Sequence, residues 1–319
     1  MGHKQVALGL ALSVMAMPIA GQAQERWSIA TSSTGSGPYI IGSAIAEAMN
    51  KGQSGIEVSA QSSGGYNDNL SLVAQGNVNS GLTLLSELGD AWRGTGKFEA
   101  VPDAKERFEP LRRMFPVTTA TFQCVVRADS GITKFSELKG KRLNINVPAT
   151  ATQAINRAMI AALGMKPEDF NILEIATSGS YDALSNNVAD ATCNGQPMPS
   201  GSIQQLAAST PVRVLDIPDD AFDKLNESYQ GTMLKATIPA GTYSGQDDEV
   251  HTFAYPEVLF VNKDAEEEQV YELTKAYWEG ERPTNPAFAQ VTIKNATVDV
   301  APPIHPGALR YLKEKDLMK

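Results

Sequence analysis

One three-part unit recurs along this chain: a short apolar strand, a loop of small residues, then a helix with its apolar side chains on one face. Residues 26–30 (RWSIA) read as a strand and 31–38 (TSSTGSGP) as a loop. Residues 39–50 then carry Ile40, Ile41, Ala44, Ile45 and Ala48 at helical spacing. The unit returns with a strand at 56–60, a loop at 61–65 (QSSGG) and a helix at 67–75 bearing Leu70, Leu72 and Val73. A third strand at 81–85 leads into Ser86, Glu87 and Leu88. A helix between two strands carries the chain back along the sheet, so the strands pair in parallel and the class is α/β.

Residues 114–127 (MFPVTTATFQCVVR) break the rhythm with an extended, β-branched run that is long for one strand. It reads as a segment leaving one sheet and entering another. The unit then restarts: strand 141–146, loop 147–152 (VPATAT), and helix 153–163 closed by Gly164. Strand 170–175, loop 176–180 (ATSGS) and helix 181–188 follow, then strand 189–194, helix 203–208 and strand 212–217. A second extended run, 252–261 (TFAYPEVLFV), mirrors the first. Two βα lobes joined by two extended hinge crossings are expected, with a ligand held between them. Lobe I spans 24–118, lobe II 119–250, and 251–319 holds the second crossing and C-terminal helices, part of which return to lobe I. A length of 319 residues suits two such units and buries about three-quarters of the unfolded surface without needing a metal or disulfide.

The first 23 residues have another character. A weakly basic start through Lys4 precedes an apolar run over 6–20, and Gly21, Gln22 and Ala23 place small residues at −3 and −1 of a cleavage site. This is the layout of a secretory signal peptide cleaved near Ala23, and it points to the periplasm. A membrane anchor is the alternative, but the run of about 15 residues is short of the ~20 that a spanning helix needs. The formal charge of −9 argues against nucleic acid as a partner, since that needs a basic face. Cys124 and Cys193 could pair in an oxidising compartment. Both lie in apolar runs that read as separate strands, and two buried, unpaired thiols are the expectation.

Motifs for catalysis are missing. The histidines are His3, His251 and His305, with no H-E-x-x-H or Cys-x-x-Cys spacing, so no metal or cofactor is expected. Ser36 has Thr34 where a nucleophile elbow needs glycine, and Ile40 occupies the third glycine position of a dinucleotide fingerprint. Gly94-Thr95-Gly96-Lys97 resembles a phosphate loop, but Phe98 replaces the Ser/Thr and Ala91 the first glycine. What the chain does have is four loops of one style, 33–37, 62–65, 150–152 and 178–180, each rich in hydroxyls or glycine and each opening a helix. Free N–H groups and the positive end of the helix dipole favour an anion there, at the carboxyl ends of strands where α/β ligands sit. One such loop would be a plain helix cap; four of them favour a site.

Several stretches, in order, resemble the TAXI family, the substrate-binding proteins of one branch of TRAP (tripartite ATP-independent periplasmic) transporters. They are 56–69 (IEVSAQSSGGYNDN), Gly94 to Phe98, Val126 to Ile132, 235–246 (KATIPAGTYSGQ) and His305-Pro306-Gly307-Ala308, within a similarity over 27–311. The resemblance implies a two-lobed periplasmic binding protein of type II-like fold that closes on a small organic acid, an acidic amino acid or a dicarboxylate. It also implies docking on TRAP membrane carrier subunits. Where the family has G-x-P-G-S-G-T, this chain has Asn146 to Thr152 (NVPATAT), whose alanines bring Cβ atoms toward the pocket. The expected site takes Thr34, Gly35, Ser36, Gly37, Ser62, Ser63, Gly64, Asn67 and Ser86 from lobe I, with Tyr39 or Tyr66 packing on the carbon skeleton. Lobe II adds Thr150, Ala151, Thr152, Asn194 and Gln196. Arg127, on a crossing strand near the hinge, is the expected charged partner, its alternative being an ion pair with Asp129. A secreted enzyme on a small metabolite, or a binding protein serving a sensor, are the competing functions.

Overall fold

The computed structural model of the chain describes residues 2, 25–34, 36–148, 150–284, 286–289, 291–293 and 300–318. The expected leader, apart from Gly2, lies outside the described residues, as does Gly35. The first lobe begins with β1 (Glu25–Ala30), α1 (Gly37–Lys51), β2 (Ile56–Gln61), α2 (Tyr66–Ala74), β3 (Ser80–Leu84), α3 (Leu85–Arg93) and α4 (Ala104–Phe108). The long strand β4 (Leu111–Arg127) leads to β5 (Arg142–Asn144), α5 (Ala151–Ala162), β6 (Asn171–Leu173), α6 (Thr177–Ser185) and β7 (Ala191–Gln196). Next come α7 (Gly201–Ala207), β8 (Val212–Val214), α8 (Asp219–Ser228), β9 (Leu234–Ile238) and the second long strand, β10 (Val250–Asn262). The chain closes with α9 (Glu267–Glu279), α10 (Pro286–Ala289) and α11 (Pro306–Glu314).

Ten strands form one curled sheet in the order β2-β1-β3-β10-β4-β7-β5-β6, with β8 on β4 and β9 on β10. The βα units pair in parallel, β1 with β2 and β3 on one side, β5 with β6 and β7 on the other. Between them β4 and β10 run antiparallel from Leu111 opposite Asn262 to Thr121 opposite Ala254. Beyond that β4 goes on to β7 and β8, and β10 pairs with β3 at one end and β9 at the other. Each crossing strand therefore belongs to both lobes, and the fold is a two-lobed α/β fold. Their residues are apolar or β-branched and buried almost throughout, as strands covered on both faces require. The register shifts between Glu257 and Val258 and again between Leu259 and Phe260, beside Pro116 and Pro256, which supply no ladder N–H.

Each lobe has its own core. On lobe I, Trp27, Ile45, Leu82 and Phe115 meet Tyr277 of α9 and Tyr311 of α11, so the C-terminal helices pack there. The opposite face buries Leu70, Val73, Leu88, Phe108 and Phe260. On lobe II, Phe122, Leu143, Met159 and Phe253 form one cluster, and Leu184, Ile203, Val212 and Tyr243 another.

Several expectations need correction. Loop residues Thr177 to Ser180 are the first turn of α6, and Ala151 and Thr152 the first turn of α5, because Thr150 is the N-cap whose side chain accepts from the Gln153 N–H. The α8 and β9 elements were not anticipated, although Ala221, Phe222 and Leu225 share one helical face and Leu234, Ala236 and Ile238 alternate with Lys235 and Thr237. The cysteines are not free thiols: Cys124 and Cys193 stand directly opposite in the β4–β7 register and form a disulfide. The separate strands were real, but the crossing makes them neighbours.

Gly195, at the end of β7, shows how tightly the lobes' junction is packed. A Cβ there would overlap the hydroxyl and ring of Tyr255, itself only 6% exposed. We expect Gly195→Ala to cost about 3 kcal/mol, the upper end for overpacking a closed site. Urea unfolding would show a lowered midpoint with unchanged slope; an unshifted midpoint would contradict the contact.

Candidate functional site

A cavity of about 400 Å³ opens between the lobes. Its lobe I wall is Leu84 at the carboxyl end of β3, Ser86, Glu87 and Asp90 of α3, and Lys97. Its lobe II wall is the start of α5, from Thr150 through Arg157, together with Tyr229 at the end of α8. Strand topology explains the placing. β3 ends and α3 begins without a loop, and Gly94 in a left-handed conformation closes α3, so the following short turn brings Lys97 beside Glu87. On the other side the chain leaves β5 and enters α5 through the Thr150 cap.

The walls hold two cations, each compensated within its own lobe. Lys97 Nζ lies 2.7 Å from Glu87 Oε1, and Arg157 Nη2 lies 3.6 Å from Glu174 Oε1. Gln153 Nε2 donates to the same Glu174 oxygen at 2.9 Å and to the Asn146 carbonyl at 3.2 Å. Across the gap, Gln230 Nε2 donates to Asp90 Oδ1 at 3.2 Å, so a lobe II corner touches lobe I beside Tyr229. Burial, with Asp90 and Glu87 nearby, pushes the Tyr229 hydroxyl up to about 12.

Opposite Leu84 of the cavity wall, in the β3–β10 register, stands the buried Glu257 of β10. The Tyr66 hydroxyl, at the start of α2, donates to its Oε1, and the Thr118 hydroxyl of β4 to its Oε2. Burial pushes the carboxyl up to about 7, against the two hydroxyl bonds, which favour the charged form. On the same strand, burial raises the Tyr255 hydroxyl.

The structure brings together some of the expected residues and separates others. Ser86, Thr150 and Ala151 line the cavity. Thr152 and Tyr66 are not in that lining; Thr152 lies in the first turn of α5, and Tyr66 bonds Glu257. Ser62, Ser63 and Gly64 follow the carboxyl end of β2 and Asn67 lies in the first turn of α2; Ser63 Oγ is spent on Asn69 Oδ1 at 2.6 Å and the Gly64 N–H on Asp68. Thr34 is exposed, Ser36 caps α1 by accepting from the Tyr39 N–H, and Gly37 opens that helix. Tyr39 itself turns to an outer groove with Ser43 and Ala60, away from the cavity.

Asn194 is buried and saturated inside lobe II, accepting from Asn146 and Thr177 and donating to Ser180 and Thr192. Gln196 is half-buried at the end of β7, its carbonyl accepting from Gln123. Arg127 is not near the hinge. β4 runs antiparallel to β7, with Val126 opposite Ala191, so Arg127 lies at the amino end of β7, on the order of 20 Å along the strand from the Thr121–Gln196 pair. There its Nη1 donates to the Leu184 carbonyl and its Nε pairs with Asp129 at 3.4 Å, which was the alternative.

Sequence reasoning missed Glu87, Asp90, Lys97, Arg157, Tyr229 and Glu257. One signal was present. Glu257 is the single charge in the apolar run TFAYPEVLFV, and a carboxylate at a buried strand position carries a desolvation cost that needs a reason.

Comparison with known proteins places these features in a wider set. A model of the NMT1-like family matches residues 29–315. Among solved structures, a TctC solute-binding protein from Polaromonas is 15% identical with a TM-score of 0.52, over 80% of this chain and 83% of its own. The periplasmic sulfonate-binding protein SsuA from Methylobacillus flagellatus is 14% identical with a TM-score of 0.48, over 79% of this chain and 68% of its own. At these identities the likeness is one of fold, and the Polaromonas protein carries it. No helix among the described residues is long and apolar enough to cross a membrane.

Glu257 gives the site a measurable pH signature. Its folded value of about 7 exceeds the ordinary 4.5, so between those pH values the folded chain holds a proton that the unfolded chain has released. Its contribution to stability is therefore full below pH 4.5 and is lost as pH rises through 7. Melting temperature followed from pH 4.5 to 8 should fall more steeply in the parent protein than in Glu257→Gln. Parallel curves would show that Glu257 does not titrate in this range.

Proposed function

The chain belongs to the NMT1-like family, and we propose from that premise that it is a periplasmic solute-binding protein of the TAXI branch. In this reading it captures a small organic anion, an acidic amino acid or a dicarboxylate, between its lobes and delivers it to the membrane subunits of a TRAP-type carrier. The observation that carries the proposal is the interlobe cavity with Lys97 on one wall and Arg157 on the other. Its volume of about 400 Å³ suits a small solute. Each cation is already paired, so an arriving carboxylate binds by sharing or displacing Glu87 and Glu174.

Ligand contacts on both walls favour the closed arrangement, and closure in turn presents a surface that a carrier can distinguish from the open form. The Gln230–Asp90 hydrogen bond is of the kind that closure would form. Ala151 lines the cavity where the family pattern has glycine, and its methyl group narrows that wall.

A thermal-shift screen of unfolded and refolded protein against amino acids, dicarboxylates, keto acids and sugar acids tests this. A ligand at about 100 times its Kd adds ~2.7 kcal/mol, a shift of several degrees, and is recovered unchanged. Arg157→Gln and Lys97→Gln should each weaken binding of the selected acid by roughly 10-fold or more, the loss expected for a charged hydrogen bond. Silence across the whole panel, or full affinity in both variants, would count against the organic-anion reading.

A further inference from the structure

We propose that Glu257 sets the hydrogen-bond polarity of the cleft floor, so that the captured solute carries a donor, an ammonium group above all, at its hinge end. This rests on the solute-binding reading above and narrows it to a class of solute. Glu257 stands opposite Leu84 of β3 and opposite Thr118 of β4. Directly opposed residues present their side chains on the same face, and Leu84 lines the cavity. The carboxylate therefore lies in the layer that floors the cleft, with Tyr66 folded over it from α2.

Both carboxylate oxygens are met by hydroxyls, from Tyr66 and Thr118, and no Lys, Arg or His among the described residues lies within ion-pair distance. A hydroxyl has one hydrogen and two lone pairs. When Glu257 is ionised those hydrogens are committed to it, and Tyr66 offers the cleft only acceptor capacity; its side chain is half-buried, whereas Thr118 is closed in. The floor is thus an array of acceptors over an uncompensated carboxylate. An ammonium group satisfies the lone pairs and offsets the charge. A keto or ester oxygen in the same place sets acceptor against acceptor and leaves the carboxylate unpaired, which is the arrangement that discriminates most strongly between analogues.

A proton linkage accompanies this. Burial keeps part of the Glu257 population protonated near neutral pH, and an ammonium ligand favours the ionised form, so its binding releases a proton. The groups facing Glu257 are Tyr66 from α2, Thr118 from β4, Leu84 from β3 and Tyr255 on its own strand. The two tyrosines are the titratable ones, and tyrosine hydroxyls ordinarily ionise near pH 10. Affinity for an amino acid should consequently rise with pH up to about 8.

Isothermal titration calorimetry on ligand-stripped full-length mature protein tests the proposal with matched probes: glutamate against 2-oxoglutarate, and leucine against 4-methyl-2-oxopentanoate, at pH 5.5, 7 and 8. We expect the parent protein to prefer the amino member of whichever pair it binds by at least about tenfold, with proton release that grows as pH falls toward 5.5. Glu257→Gln should bring the preference to within about threefold and remove the proton release. Tyr66→Phe, which leaves the sheet untouched, should reduce the preference and serves if the glutamine variant does not fold. Equal or tighter binding of the oxo acid by the parent protein would overturn the proposal while leaving solute capture intact, as would a preference unchanged in both variants. Binding of no probe from either pair would overturn it too, and silence across the wider acid panel as well would take the capture reading with it.

Discussion

The ladder between β4 and β10, from Leu111 opposite Asn262 to Thr121 opposite Ala254, is shared by both lobes, and the rest of the molecule is arranged around it. β3 attaches along one end of β10, and β7 with β8 along the far end of β4, so the two parallel sets of strands are extensions of one antiparallel pair. A pair buried on both faces cannot bend freely, because its hydrogen bonds have no water to replace them. The ladder is interrupted at the register shifts beside Pro116 and Pro256. Glu257 sits at that interruption, opposite Leu84 of the cavity wall.

The polar groups of the cleft follow a common economy. The exposed cations on the walls, Lys97 and Arg157, are held by acids of their own lobes, while the buried carboxyl of the floor is held only by hydroxyls. A surface cation paired with a neighbouring acid is cheap to redirect, since water screens both members. A buried carboxylate is not, and its hydroxyl partners are fixed in direction by it. On the proposed reading, the walls would tolerate variation in a solute's anionic groups and the carboxyl would discriminate. The saturated network around Asn194 acts differently again: with every donor and acceptor spent inside lobe II, it stiffens the start of α6 and has nothing left for a solute.

Much of the local structure was legible from residue spacing. The apolar periodicity at Ile41, Ala44, Ile45 and Ala48 gave α1, and the β-branched run ending at Arg127 marked a crossing strand, because period and side-chain shape act within a few residues. The loops of small residues after strands were rightly read as helix starts, with Ser36 and Thr150 serving as caps. Which of those starts would face a cavity was not legible. Tyr39 and Tyr66 open consecutive helices in similar sequence settings, yet one turns to an outer groove and the other reaches Glu257, 191 positions along the chain. Arg127 was misplaced for a related reason: a long strand has two ends, and spacing alone does not say which of them lies at the hinge.

By itself, the amino-acid sequence determined the α/β class, the repeated βα unit and the presence of two extended crossings, all of which follow from short-range periodicity and chain stiffness. Tertiary structure alone decided which residues meet. It joined Cys124 to Cys193 by laying β7 against β4, and it set Lys97 and Arg157 on facing walls. It also buried Glu257 under two hydroxyls drawn from α2 and β4. Those encounters depend on the direction and order of strands in the sheet, which are fixed by the packing of whole elements and leave no periodic trace in the residues concerned.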